Sequence, residues 1–248
     1  MMLLSPSWRR PTICTSHRYF KSLRYVVCKS QSQQYIDNGM PVLVCPDKAQ
    51  GNVSRVRNWI LDQAKGEDLC IVDDDIKHLG VWNGNVHRDL DGDEAEEFIE
   101  HGFELARQFK VKMWGVNLLP DKGAFREYTP FSLTNVVLGP LGGFLDMDCR
   151  YDENLPLKED YDLCLQVLNK YRKILRINHA HYVCEQHTNL GGCAEYRTMD
   201  AEKDQFLELE KKWGSKIVRR DTGESKTQRK RQAAYDINPV IKIPIKGV

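Results

Sequence analysis

Leu69-Cys70-Ile71-Val72-Asp73-Asp74-Asp75 is the stretch on which the reading of this chain turns. Four apolar residues in a row have the length and composition of a strand buried on both faces. Three adjacent carboxylates follow without a break. Their charges repel, and burial at a strand end raises the cost. A hard divalent cation such as Mg²⁺ or Mn²⁺ removes that cost, takes oxygen ligands and commonly bridges to phosphates. The C-terminal ends of strands are also where open α/β sheets bind their ligands. The triplet is therefore read as a metal–diphosphate site, set against the plainer reading of a solvated acidic turn.

Working outward, short apolar runs alternate with helical patterns. Residues 11–16, 25–28 and 41–45 read as strands, the first ending in the small polar pair Thr15-Ser16. Residues 32–38 read as a short helix stopped by Gly39. Val56, Trp59 and Ile60 give 53–65 a helical spacing that Gly66 ends. This βαβαβ alternation predicts an α/β fold, a mostly parallel sheet with helices on its faces. Residues 81–93 read as a polar loop. Residues 93–110 read as an amphipathic helix whose first turn is acidic, as the helix dipole prefers. Strands are predicted over 113–119, 131–138 and 173–178, with a glycine turn at Gly142-Gly143 between the last two. Helices are predicted over 161–168 and 201–213.

A chain of 248 residues that is 41% hydrophobic and 29% charged fits one soluble domain with a tail. No apolar stretch approaches the roughly 18 residues that span a bilayer. The opening Met1-Met2-Leu3-Leu4 is too short for a signal-peptide core, so a soluble intracellular protein with no membrane partner is expected. Eight cysteines include no CxxC pair, which argues against a zinc ribbon. They read as small buried hydrophobes. The net charge of +1 hides an asymmetry: residues 219–248 carry eight basic and three acidic side chains, so the tail is +5 and the rest about −4. A basic tail on an acidic body suits a polyanionic partner, or else is a solvated terminus.

Four features share an order: Thr15-Ser16-His17-Arg18, the segment Gly51 to Asn58 with Arg55 and Arg57, Asp73-x-Asp75, and Glu159-Asp160 at a helix start. This order and spacing resemble the GT-A nucleotide-sugar glycosyltransferases. A narrower resemblance rests on Leu141-Gly142-Gly143-Phe144, Arg150-Tyr151-Asp152-Glu153, Pro156-Leu157-Lys158-Glu159-Asp160-Tyr161-Asp162-Leu163 and His187-Thr188-Asn189-Leu190-Gly191-Gly192-Cys193. Together these look like the TET/JBP-associated glycosyltransferases of bacteriophages, relatives of the base J glucosyltransferase. The resemblance covers residues 11–218, giving a single GT-A-like (Rossmann-like) domain there and a basic tail over 219–248.

The resemblance implies a Mn²⁺- or Mg²⁺-dependent enzyme that moves a sugar, glucose in its relatives, from a UDP-sugar. The implied acceptor is a hydroxymethylated pyrimidine in double-stranded DNA, and the implied location a host cytoplasm. Asp75 would ligate the metal directly, and Asp73 would reach it or the ribose. His187 is the implied third ligand, with His179 and His181 as competitors. Asp74 belongs to the donor-binding motif, although the alternation of an extended backbone turns it to the opposite side as a structural acceptor. Thr15, Ser16, Arg18, Arg55, Arg57, Gly142, Gly143 and Arg197 complete the expected donor site. Each arginine has the alternative of a structural ion pair.

Asp160 is the candidate general base, because the acceptor hydroxyl must lose a proton as it attacks the anomeric carbon. An inverting single displacement follows. Glu159 is grouped with it, and helix capping is the plain alternative for both. Trp82 with the loop Asn83-Gly84-Asn85 would cover the sugar or else pack in the core. Two other readings keep the residues but change the function: a transferase with a protein, glycan or small-molecule acceptor, and a non-catalytic DNA-binding protein on a degenerate fold.

Overall fold

The structure, a computed structural model, describes residues 1–118, 120, 125–184, 192–220 and 237–244. Twelve strands and six α-helices are found among them: β1 (Met2–Pro6), α1 (Ser16–Tyr19), β2 (Arg24–Cys28), α2 (Lys29–Asp37), β3 (Val42–Cys45), α3 (Val53–Gln63), β4 (Asp68–Val72), β5 (Ile76–Asn83), β6 (Val86–Asp89), α4 (Gly92–Gln108), β7 (Met113–Asn117), β8 (Phe131–Ser132), β9 (Leu141–Leu145), α5 (Glu159–Tyr171), β10 (Leu175–Cys184), α6 (Met199–Trp213), β11 (Val218–Arg220) and β12 (Pro239–Ile241). The main sheet runs β3-β2-β1-β4-β9-β7-β10-β5-β6, with β8 beside β10. β3, β2, β1 and β4 are parallel, and β7 and β10 are parallel to each other. β9 runs antiparallel between β4 and β7 and so joins the two parallel groups, while β5 returns antiparallel to β10.

Apolar side chains leave both faces of this sheet. In β2, Tyr25 and Val27 enter one core with Tyr35 of α2 and with Ile99 and Phe103 of α4. Val26 and Cys28 enter the other core with Val56 and Ile60 of α3 and with Leu163 and Val167 of α5. Burial on both faces is why such strands read as unbroken apolar runs. α4 begins with a capping box, Asp91 and Glu94 each bonding the other's backbone N–H. A third, smaller cluster holds α6 and β11 against α5 through Leu165, Phe206, Leu209 and Val218.

Several expectations are corrected. The first strand is Met2–Pro6, not 11–16, and it lies between β2 and β4, so the fold includes residues ahead of Pro11. Residues 81–93 are not a loop: Trp82 and Asn83 end β5, and Gly84-Asn85 turn the chain into β6. The strand predicted over 131–138 shrinks to Phe131–Ser132. Gly142 and Gly143 are mid-strand in β9 and form no turn. The glycine at 143 is a packing requirement, because a Cβ there would stand 2.0 Å from Nε1 of the buried Trp114. Beyond residue 218 the chain adds a two-stranded ribbon, β11 with β12, and Ile241 and Ile237 pack on the third cluster. Among the described residues, no helix is long and apolar enough to cross a membrane. All eight cysteines are free, six of them buried.

Candidate active site

β4 delivers the acidic triplet to the C-terminal edge of the parallel group. The turn is pinned from behind. The Asp73 N–H donates to Pro140 O at 2.9 Å, and the Thr15 N–H donates to Asp74 O at 3.0 Å. The Ser16 hydroxyl donates to Asp73 O (2.8 Å) and accepts from the Ile76 N–H (2.8 Å). Thr15 and Ser16, expected on the donor, instead hold the backbone of the acidic turn, and Ser16 is fully buried.

The three carboxylates diverge. Asp74 is buried, accepting from Ser7 Oγ at 2.6 Å and Arg10 Nη1 at 2.7 Å, with Cys14 Sγ 3.4 Å away. Its oxygens are taken up by Ser7 and Arg10, so the structure gives it the part of a structural acceptor and not that of a donor-binding residue. Asp73 and Asp75 turn the other way. Asp73 accepts from Arg57 Nη2 at 2.9 Å. Among the described residues, the ion-pair partner of Asp75 is Arg10 Nη1, 3.8 Å off. Burial, followed by repulsion from Asp73 and Asp74, pushes the Asp75 carboxyl up to about 7. Burial also raises Asp73, against the pull of Arg57.

α5 brings the second acidic pair to the same place. Arg57, on α3 and almost wholly buried, donates to Glu159 Oε1 at 3.0 Å and lies 3.9 Å from Asp160 Oδ1. One guanidinium thus ties Asp73 to Glu159 and Asp160 across nearly ninety residues of sequence. Asp160 Oδ2 also accepts the Gly139 N–H at 2.7 Å, which fixes its rotamer while its edge stays accessible. Glu159 turns inward, where burial and then Asp160 hold its carboxyl well above the usual range. Of the two acids expected to act in catalysis, Asp160 is therefore the one that faces out.

The other expected residues divide. Arg57 is committed to carboxylates, so its place is as an internal counter-charge and not a phosphate contact. Arg55 pairs at the surface with Glu153 (3.0 Å). Arg18 is exposed on α1. Arg197 pairs with the buried Glu202 at 3.2 Å, and Glu202 also bonds Lys158, the residue just ahead of Glu159. Gly142 lines a small hollow with Arg57, Gly139, Tyr151 and Asp160, whereas Gly143 is spent on Trp114. His187 and Gly191 lie outside the described residues. The turn that follows them returns to the site: the Gly192 N–H donates to Trp8 O (3.3 Å), and Glu195 pairs with Arg9 (3.5 Å). Gly192 has φ +60° and stands against the Arg10 guanidinium, where a side chain would meet it at 3.0 Å. His179 and His181 lie on β10, where His179 faces Phe125 and Phe131 and His181 faces His87.

Arg10, Ser7 and Lys158 were not picked out from the sequence. Arg10 follows β1, whose run Met2–Pro6 is short and ends in proline, so the sequence pattern places the first strand at 11–16 instead. Lys158 stood inside the quoted acidic motif. No local pattern marks it, because its partner Glu202 is 44 residues away.

The donor set suits a hard cation. Five carboxylates, Asp73, Asp74, Asp75, Glu159 and Asp160, share two guanidinium groups, Arg10 and Arg57. The deficit of positive charge falls on Asp75. Among the described residues, no three His, Cys, Asp or Glu side chains already form a closed ligand set, so Asp73 and Asp75 would need ligands from elsewhere, water or phosphate oxygens included.

No protein-family model matches the chain, and neither does any curated protein. Solved structures do. A mycobacterial protein superposes with a TM-score of 0.51 at 11% identity, over 92% of this chain and 80% of that one. Glucosyl-3-phosphoglycerate synthase from Mycobacterium tuberculosis, in complex with Mn²⁺, UDP-glucose and phosphoglyceric acid, gives 0.50 at 10% identity, over 89% and 82%. Staphylococcus aureus TarS (1–349) gives 0.46 at 14% identity, over 84% and 64%. At such identities the likeness is one of fold, and the fold is that of the GT-A glycosyltransferases.

Proposed function

We propose that this chain is a metal-dependent glycosyltransferase that moves a hexose, glucose by its resemblance, from a UDP-sugar to the hydroxyl of a hydroxymethylated pyrimidine in DNA. The observation that carries the transferase reading is one arrangement. Asp73 at a strand end, with Asp75 two residues on, and Glu159 and Asp160 at a helix start meet at Arg57, on the fold of a UDP-glucose- and Mn²⁺-bound synthase.

Asp73 and Asp75 would hold Mn²⁺ or Mg²⁺, which when bound supplies positive charge to the departing diphosphate. Asp160 accepts the proton of the attacking hydroxyl through its accessible edge, with its other oxygen fixed by the Gly139 N–H. The new C–O bond forms opposite the bond to the diphosphate as that bond breaks, so the anomeric configuration inverts. Arg57 keeps Asp73 and Glu159 in register beneath these groups. The DNA acceptor is supported by the narrower family resemblance and by the +5 charge of residues 219–248, since phosphate neutralisation dominates nucleic-acid affinity.

The test is turnover of UDP-glucose with Mn²⁺ on DNA containing hydroxymethyluracil, hydroxymethylcytosine or neither, read by the mass of the digested nucleosides. A gain of one hexose on a modified base is expected. UDP and metal binding without such a gain moves the search to other sugars or acceptors. Failure to bind either overturns the transferase reading.

A further inference from the structure

A second group of metal-ligating side chains lies on the sheet away from the acidic turn. On β5, residues 78, 80 and 82 share one face of the strand. Gly80 sits opposite Asp89 of β6 on one side and opposite His181 of β10 on the other. His78 lies two residues along β5, and His87 two residues along β6. The missing side chain of Gly80 thus leaves room for the His181 and His87 rings, with Asp89 and His78 next to them along the strands. A Cβ there would stand 2.5 Å from His181 Nε2 and 2.8 Å from His87 Nε2, so glycine is what lets the two rings meet.

Their Nε2 atoms are 2.8 Å apart, with the rings stacked 5.0 Å centroid to centroid. Asp89 Oδ1 lies 3.9 Å from His87 Nε2 and 3.3 Å from His78 Nε2. A tetrahedral ion with Zn–N bonds near 2.0–2.1 Å requires donors roughly 3.3 Å apart, and the three gaps bracket that value.

We propose that His78, His87, His181 and Asp89 bind a Zn²⁺-class divalent cation over Gly80, separate from the acidic turn. Gly80 is five residues past Asp75, roughly 16 Å along an extended strand. Imidazole-rich donors select Zn²⁺ over Mg²⁺ and Mn²⁺, which suit the all-oxygen acidic turn. Among the described residues, no three such side chains already stand where they could hold an ion together, so binding requires these donors to shift, the hydrogen-bonded His87 and His181 moving apart and His87 and Asp89 closing up. His181 has a second partner that favours this: its Nδ1 lies 3.4 Å from Tyr182 O, which accepts the ring proton and leaves the Nε2 lone pair for the ion. The bound ion would fasten the edge hairpin β5–β6 to β10.

The experiment uses the untagged full chain, stripped by chelator and held in excess Mg²⁺, with Zn²⁺ titrated against a chromogenic competitor. One equivalent is expected. His87→Gln, on the outermost strand, should weaken binding about tenfold or more, as should His78→Gln, while Asp75→Asn leaves it unchanged. Co²⁺ in place of Zn²⁺ should show the visible absorption of a four-coordinate nitrogen–oxygen site, lost in either histidine variant. No bound equivalent, or an equivalent that follows Asp75 and survives both histidine changes, overturns the proposal.

Discussion

Asp75→Asn should make the metal-free protein more stable at pH 8, although it removes a group proposed for catalysis. The folded environment raises this carboxyl from its ordinary 3.8 to about 7, chiefly through burial. The unfolded chain sheds the proton near 4, whereas the folded protein holds it until about 7. Between those values the unfolded state binds fewer protons, so Asp75 costs stability as pH rises through this window. About three pKa units at 1.36 kcal/mol each give roughly 4 kcal/mol above pH 7, an upper figure. The amide has the same shape and no charge, so it removes that cost. For a chain of this size the gain corresponds to a Tm increase on the order of 10 °C. The assay is a pair of thermal melts in chelator, wild type and variant, at pH 8 and pH 5. The difference should shrink by more than half at pH 5. Mn²⁺ with UDP should then reverse the order at pH 8, stabilising the wild type and not the variant. A variant no more stable than wild type at pH 8 without metal would refute the reasoning, because Asp75 would then be compensated more fully than by Arg10 at 3.8 Å.

Three further outcomes are expected. Asp160→Asn should leave Mn²⁺-dependent UDP binding intact and lower kcat by about 10²–10⁴, measured by single-turnover transfer; a normal kcat removes its role as base. Arg57→Met should cost about 3–5 kcal/mol in denaturant unfolding, because it leaves Asp73 and Glu159 without their shared partner; a loss confined to UDP affinity would instead make Arg57 a donor contact. Changing Lys226, Arg229, Lys230 and Arg231 to Gln should weaken DNA binding and flatten its dependence on salt while sparing UDP-glucose hydrolysis, and unchanged retardation of DNA would make the tail a passive terminus.

The sequence by itself determined the alternation of strands and helices and the location of the acidic triplet at a strand end. Both follow from local periodicity: an apolar run, a polar stop and a glycine to end each helix. The start of α5 at Glu159-Asp160 was legible for the same reason. The hairpin β5–β6 left a signal in Gly84-Asn85 between two runs, but the polar composition of 81–93 reads as a loop and hides it. Other features depended on partners far along the chain. Met2–Pro6 is a central strand only because β2 and β4 flank it. Leu141–Leu145 is a strand and not a glycine turn because β4 and β7 supply its hydrogen bonds and Trp114 fills the space at Gly143. Arg57 looked like a phosphate contact until the fold set Asp73 and Glu159 on either side of it. A side chain's charge is read from its type, but the charge it answers to is decided by which distant residues the packed helices and sheet bring within 3 Å of it.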